Sequence, residues 1–424
     1  MNLEAVGLSD LALHIPESSI SLSTIVSHRI SEDPSLERHL ERAIRATGQK
    51  SLRFPRIWED TATMAAQACH KLVGQHKDIK IDHVRFLTLG TETSVDMSKA
   101  GSSYVLGMME KSGIKLPSTL STFQVQHACA GGALSMMTVA GFIQAAGLNG
   151  DSGIVLTSDI ARYLAPSTAE VTQGAGATAL LVARNPKLLE FDLPTAGFFS
   201  RDVDDFFRPL GSTIAKVKGG FSVQCYNESL IAAFEDHCQR AQVNPGDELE
   251  SIDLFQLHIP YAQMPVTAMY KLLAKHLGLN EEQAIAFLEK RGFFKALEPT
   301  SEVGNIYTGS LFLGLAFGLK ERLAHFGPNL VGKKVMMASY GSGNTMSVIL
   351  AKVAAEAPGI IGGWNLDSIK STQIEATFEE YLRWISDVRS PETYPQELIN
   401  TPPAPQHFYL KNIREDGYRE YSWS

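Results

Sequence analysis

Cysteine is scarce in this chain. The four thiols among 424 residues, Cys69, Cys129, Cys225 and Cys238, are spaced neither as metal ligands nor as a disulfide framework. Such sparse use suits a reducing compartment, and the expectation is a cytoplasmic protein with no metal site. No apolar run approaches the roughly 20 residues that span a bilayer, so no membrane segment is expected. The first residues, Met1-Asn2-Leu3-Glu4-Ala5-Val6, lack the basic start and apolar stretch of a secretory signal. Positive charge is not in excess either. Lys and Arg number 38 against 46 Asp and Glu, for a formal net charge of -8. That argues against a nucleic-acid partner, because phosphate contacts need clustered cations. No low-complexity segment or obvious linker divides the chain.

What is present is an ordinary globular composition, 44% hydrophobic and 20% charged, over a length that fits two or three units or one duplicated fold. Short β-branched runs alternate with small-residue-rich helical patterns. Strands are expected over residues 84–90, 154–159, 179–183, 254–258, 334–341 and 347–353. Helices are expected over about 61–74, 98–112, 133–147, 227–241, 265–277, 282–290 and 308–325. This alternation implies layered α/β architecture. From about residue 364 the character changes. Trp364, Trp384 and Trp423 need burial, a helix is expected from Thr372 to Val388, and Pro391, Pro395, Pro402, Pro403 and Pro405 break up the chain beyond it. The tail reads as an extension wrapped on the main body.

Chemistry concentrates where strand-like runs end, the usual place for a site in an open α/β sheet. In Phe123-Gln124-Val125-Gln126-His127-Ala128-Cys129-Ala130-Gly131-Gly132 an alternating run stops at a lone thiol, and a helical run begins near Ala133. A sulfur at the positive end of a helix is favoured as thiolate and can attack an activated acyl group; a buried structural cysteine is the plain alternative. Glu92, in Gly90-Thr91-Glu92-Thr93-Ser94-Val95-Asp96-Met97-Ser98-Lys99, follows a strand directly. It suits a general acid/base whose pKa is lifted by an apolar pocket, or a plain helix first-turn acid. His258 ends another strand-like run, Asn305 sits beside Gly304, and Gly341 and Ser342 lie in Tyr340-Gly341-Ser342-Gly343. That turn lacks the Lys-Ser/Thr ending of a phosphate loop.

Together with Trp58-Glu59-Asp60-Thr61-Ala62-Thr63-Met64, Ser158-Asp159-Ile160-Ala161-Arg162-Tyr163, Thr172-Gln173-Gly174-Ala175-Gly176-Ala177, Asp205-Phe206-Phe207-Arg208-Pro209 and Gly220-Phe221-Ser222-Val223-Gln224-Cys225-Tyr226, these segments resemble the 3-hydroxy-3-methylglutaryl-CoA synthase family of the thiolase superfamily, over nearly the whole chain. The resemblance implies a duplicated thiolase-like fold layered α-β-α-β-α, usually a homodimer. Its halves would be residues 1–185, carrying Glu92 and Cys129, and residues 186–424, carrying His258 and Asn305. It implies Cys129 as the acetyl-bearing nucleophile and Glu92 as acid and base. His258 would bond the acetoacetyl carbonyl, Asn305 would bond a thioester carbonyl, Tyr163 would line the acyl pocket, and Ser342 with Gly341 would offer donors near the substrate. The implied substrates are acetyl-CoA and acetoacetyl-CoA, or the same acyl groups on an acyl carrier protein, with no cofactor.

The chain departs from the family pattern at Ala130, where an aromatic residue is usual, and at Gln263, where CoA-using members tend to carry a lysine facing the CoA. The leading expectation is hydroxymethylglutaryl-CoA synthesis in the mevalonate pathway. Alternatives are β-branching on carrier-bound acetoacetyl groups in polyketide biosynthesis, a decarboxylating ketoacyl synthase, and a non-catalytic carrier-binding scaffold.

Overall fold

The computed structural model describes residues 4–76, 79–387 and 389–424. Met1–Leu3, at the start of the N-terminal stretch, and Val388, the end of the expected tail helix, lie outside them.

Nine strands form the central sheet: β1 (Val6–His14), β2 (Val84–Gly90), β3 (Ser121–Val125), β4 (Ser152–Ala161), β5 (Gly174–Arg184), β6 (Leu189–Ser200), β7 (Leu254–Leu257), β8 (Lys334–Gly341) and β9 (Thr345–Val353). Their order is β7-β8-β9-β6-β1-β5-β4-β2-β3. The five strands before residue 185 are neighbours, as are the four after it. Among the described residues the two sets of strands pair only where β1 meets β6, at Gly7↔Glu190 and Leu8↔Leu189. Gly7 is required there, since a Cβ would lie 1.9 Å from the Leu189 carbonyl oxygen.

Helices bury apolar stripes on this sheet in three layers. In the centre, α3 (Gly131–Ala146) and α6 (Ser310–Phe326) share one apolar core with β1, β6, β8 and β9. On the outer side of the N-terminal strands lie α1 (Thr61–Gln75) and α2 (Gly101–Lys111). On the outer side of the C-terminal strands lie α4 (Gly219–Ala241) and α5 (Gln263–Leu277). Crossing the molecule therefore gives α-β-α-β-α, the thiolase-like arrangement.

Four expectations need correction. Among the described residues one stretch, Ala128–Ala146, is long and apolar enough to cross a membrane; most of it is the central helix α3, packed against β2, β3, β4 and β5. Helix α4 begins at Gly219 rather than near 227, and β1 and β6 form where no strand was expected. The tail helix α7 covers only Phe378–Ser386, because a capping box between Thr377 and Glu380 fixes its start. Upstream, Ile374–Glu375 adds to the strand Ser18–Ser21 instead.

The tail does wrap on the body. Trp364 is buried and donates Nε1–H to Asp10 at 2.9 Å. The closing hairpin, Phe408–Ile413 with Arg419–Trp423, packs on α1 and α2. Tyr381 of α7 donates its hydroxyl to Glu170 at 2.8 Å, and Arg29 pairs with the same fully buried carboxylate at 2.9 Å. This network holds the Glu170–Thr172 turn, whose Thr172 carbonyl accepts the Asn305 N–H. Removing one partner of a buried ion pair costs about 3–5 kcal/mol. The Glu170→Ala protein is thus expected to lose about that much unfolding free energy in denaturant titration, and Glu170→Gln to lose less.

Candidate active site

Cys129 lies between β3 and α3. The chain reaches it through Ala128, a non-glycine residue held at φ +41°, a conformation retained only where surroundings impose it. Cys129 is 9% exposed and shares a small apolar cluster with Ala161, Tyr163, Ala215 and Tyr307. Its Sγ–H donates to Glu92 Oε1 at 3.1 Å. Glu92 stands in an irregular segment after β2, well before α2 begins at Gly101, so it is not a helix first-turn acid. Gly90 allows this approach, since a Cβ there would come within 2.4 Å of the Gly132 nitrogen.

Burial decides the electrostatics. It pushes the Glu92 carboxyl up to about 7, with Asp159 adding to the rise and Arg208 opposing it. Burial and the neighbouring Glu92 also push the Cys129 thiol well above its ordinary range. The expected resting thiolate is therefore not what the site holds. Desolvation and an adjacent acid outweigh the helix terminus, and the sulfur rests as a thiol bonded to a carboxyl group.

Asp159, fully buried at the end of β4, organises the surroundings. Its Oδ1 accepts from Thr91 Oγ1 (2.8 Å), the Glu92 N–H (2.9 Å), the Thr93 N–H (3.1 Å) and Thr93 Oγ1 (2.7 Å). Its Oδ2 accepts the Thr308 N–H at 3.1 Å and the Thr308 hydroxyl. One carboxylate thus binds the Glu92 segment to the 305–310 segment.

That second segment carries the remaining groups. Asn305 Oδ1 accepts the Tyr307 N–H at 2.8 Å, the local turn role, which leaves its NH2 end as a donor. Tyr307, at φ +44°, stands edge-on to Tyr163 with ring centroids 6.5 Å apart. Ser310 Oγ lies 2.6 Å from His258 Nδ1 and accepts the Ile259 N–H at 3.1 Å. A Ser310 hydroxyl that donates to Nδ1 while accepting from Ile259 would place the imidazole proton on Nε2. His258 follows β7 directly, and burial lowers its pKa to about 3, so it is a neutral donor. Gly341 brings the turn after β8 against the residues flanking Cys129: a Cβ there would sit 2.4 Å from the His127 carbonyl and 2.8 Å from the Ala130 Cβ. Ser342 lies in that turn, whose Gly343 N–H is held by Asp205 at 2.9 Å.

Direct contacts thus join Cys129, Glu92 and, through Asp159, the segment bearing Asn305. Tyr163 shares a cluster with Cys129 and Gly341 lies against the flanking His127 and Ala130, while His258 is held to the same segment by Ser310. Asp159, Asp205 and Arg208 stand inside the sequence motifs above with no role expected of them, and Tyr307 and Ser310 outside those motifs. The available signal was a carboxylate in an otherwise apolar strand, at Asp159. Among the described residues, no group of three or more His, Cys, Asp or Glu could hold a metal ion.

A buried thiol paired with an acid of raised pKa, inside a five-layered fold, defines a C–C bond-forming acyltransferase of the thiolase type. The Hydroxymethylglutaryl-coenzyme A synthase N terminal model matches residues 11–187 and its C terminal counterpart residues 282–423; Arg208 and His258 fall between them. The hydroxymethylglutaryl-CoA synthase of Enterococcus faecalis is 28% identical over 82% of this chain and 83% of its own. A solved structure of MvaS in complex with 3-hydroxy-3-methylglutaryl coenzyme A is 30% identical, with TM-score 0.86 and 99% of each chain covered. The curacin pathway HMG synthase in complex with holo donor-ACP, 22% identical with TM-score 0.83 over 99% of this chain and 100% of its own, shares the fold. The chain belongs to the hydroxymethylglutaryl-CoA synthase family.

Because the Glu92 charge helps hold the Cys129 proton, Glu92→Gln is expected to lower the thiol pKa. Iodoacetamide labelling of Cys129 at pH 8, followed by peptide mass spectrometry, should be faster in Glu92→Gln than in the parent; equal or slower labelling would contradict the assigned coupling.

Proposed function

We propose that this chain condenses a Cys129-bound acetyl group with the ketone of an acetoacetyl thioester, giving a 3-hydroxy-3-methylglutaryl thioester. The observation that carries this is the 3.1 Å contact between Cys129 Sγ and Glu92 Oε1 in a buried pocket, with the Glu92 carboxyl near pKa 7. Sγ attacks the donor thioester and its proton passes through Glu92 to the departing thiol. Glu92, again a carboxylate, takes a proton from the acetyl methyl group, and the resulting carbon nucleophile adds to the acetoacetyl ketone. The acid so formed protonates the tertiary alkoxide, one carboxyl serving both steps. The Nε2–H of His258 polarises the ketone, the Asn305 NH2 bonds a thioester carbonyl, and Tyr163 walls the acyl pocket. Gly341 and Ser342 supply backbone approach and a donor. Water then cleaves the Cys129 thioester. No metal or prosthetic group takes part in these steps.

CoA-bound donor and acceptor, as in a mevalonate pathway, are the first reading for the carrier, supported by the matched relatives. The second is β-branching with carrier-protein-bound acyl groups. Gln263 favours it: the first turn of α5 presents exposed Gln263 and Thr267, and no cation before Lys271. We further infer two halves divided near residue 185, a homodimer, and a cytoplasmic location.

Incubation with acetyl-CoA should add about 42 Da to the intact protein and none to Cys129→Ala; an adduct only from acetylated carrier protein would select the second reading, and no adduct from either would reject both. Glu92→Gln should keep the adduct and lose about 10²–10⁴-fold in condensation. In the parent, condensation should decline as pH falls through about 7, where Glu92 takes up its proton.

A further inference from the structure

We propose that Arg208 is a positioning residue that clamps Glu92 in its acid/base orientation and sets the pH at which it can act. This rests on Glu92 being the acid/base group. Arg208 follows the short ribbon Phe206–Phe207, which pairs with Lys216–Val217. Asp205 anchors that ribbon, accepting from the Tyr340 hydroxyl at 2.7 Å and from Ser222 at 3.1 Å in addition to Gly343. Arg208 Nη1 donates to the Glu92 backbone carbonyl at 2.6 Å and lies 3.4 Å from Glu92 Oε2, while Nη2 lies 3.4 Å from the Tyr307 hydroxyl. The guanidinium therefore grips Glu92 at both ends. With Oε2 held by Arg208, Oε1 is the oxygen that faces Cys129.

The groups around Glu92 give this contact its meaning. Asp159 holds the Glu92 N–H from β4, the Cys129 thiol faces it from the turn before α3, and the Tyr163 and Tyr307 phenols lie close by. Among the described residues, Arg208 is the cation paired with this carboxyl. Burial and Asp159 both favour the neutral acid, which cannot abstract a proton from carbon. Arg208 offsets them and keeps the carboxylate accessible near neutral pH. Its own Nε–H is buried and has no hydrogen-bond partner among the described residues.

The test is the pH profile of single-turnover condensation on enzyme already acetylated at Cys129. Neutralising the clamp in Arg208→Gln should move the acid limb up by about one pH unit or more. The rate at pH 6 should fall roughly tenfold further than the rate at pH 9. Arg208→Lys should return the limb toward its original position. A loss equal at every pH, or an unmoved limb, would overturn the proposal. A second reading needs no turnover. The protonated-carboxyl infrared band of Glu92, isolated as the difference from Glu92→Gln in each background, should titrate at higher pH in Arg208→Gln; an unshifted band would overturn the proposal even in a protein that condenses nothing. Arg208→Met supplies a second neutral side chain for both measurements if Arg208→Gln does not fold.

Discussion

The site depends on one buried carboxylate. Asp159 is a fully buried acceptor, and the donors it gathers come from both parts of the chain: Thr91, Glu92 and Thr93 on one side, Thr308 on the other. An unmade hydrogen bond at such a group costs more than a made one contributes. The two segments are therefore held in one relative placement, although strands β1 and β6 join the two sets of strands at only two residue pairs. From this placement follow the positions of Glu92 over the sulfur, of Asn305 and Tyr307 across the pocket, and of Ser310 behind His258.

The second consequence is electrostatic. A helix terminus beside a cysteine suggests a thiolate, and in an exposed turn it would supply one. Here the pocket is closed enough that charge is unfavourable on either partner. The sulfur keeps its proton, the carboxyl is lifted to about 7, and the two share a hydrogen bond. Such a pair is inert toward adventitious electrophiles yet a single proton transfer from reactivity. The same desolvation keeps His258 neutral, so it can donate to a carbonyl without being an acid in its own right.

Much of this was legible in the order of the residues. The strand-to-turn endings at Gly90, Cys129, His258 and Tyr340 follow from hydrophobic pattern and small-residue breaks, and the central helices follow from their 3.6 periodicity. The strand β1 was not legible, because Asp10 and His14 interrupt its apolar run and are buried by partners far along the chain, Trp364 and Glu59. The start of α4 at Gly219 was obscured by two glycines that weaken any helix pattern. The tail helix was overdrawn because the Thr377 capping box outcompetes the preceding residues. Within the site, residues with chemical reputations stand out in the sequence, while Asp159, Arg208 and Ser310 do not. Their value lies in whom they touch, and pairs separated by 52 to 149 positions, such as His258 with Ser310 or Asp159 with Thr308, leave no local trace.

Asp159 holds the Glu92 segment and the 305–310 segment in one register. The most direct measurement is the single-turnover condensation rate of Asp159→Asn after acetylation of Cys129. Asparagine keeps the shape but turns an NH2 toward hydrogen-bond donors, so the account predicts a rate lowered by about 10²-fold or more in a protein that remains folded. A folded Asp159→Asn protein condensing at the parental rate would contradict it.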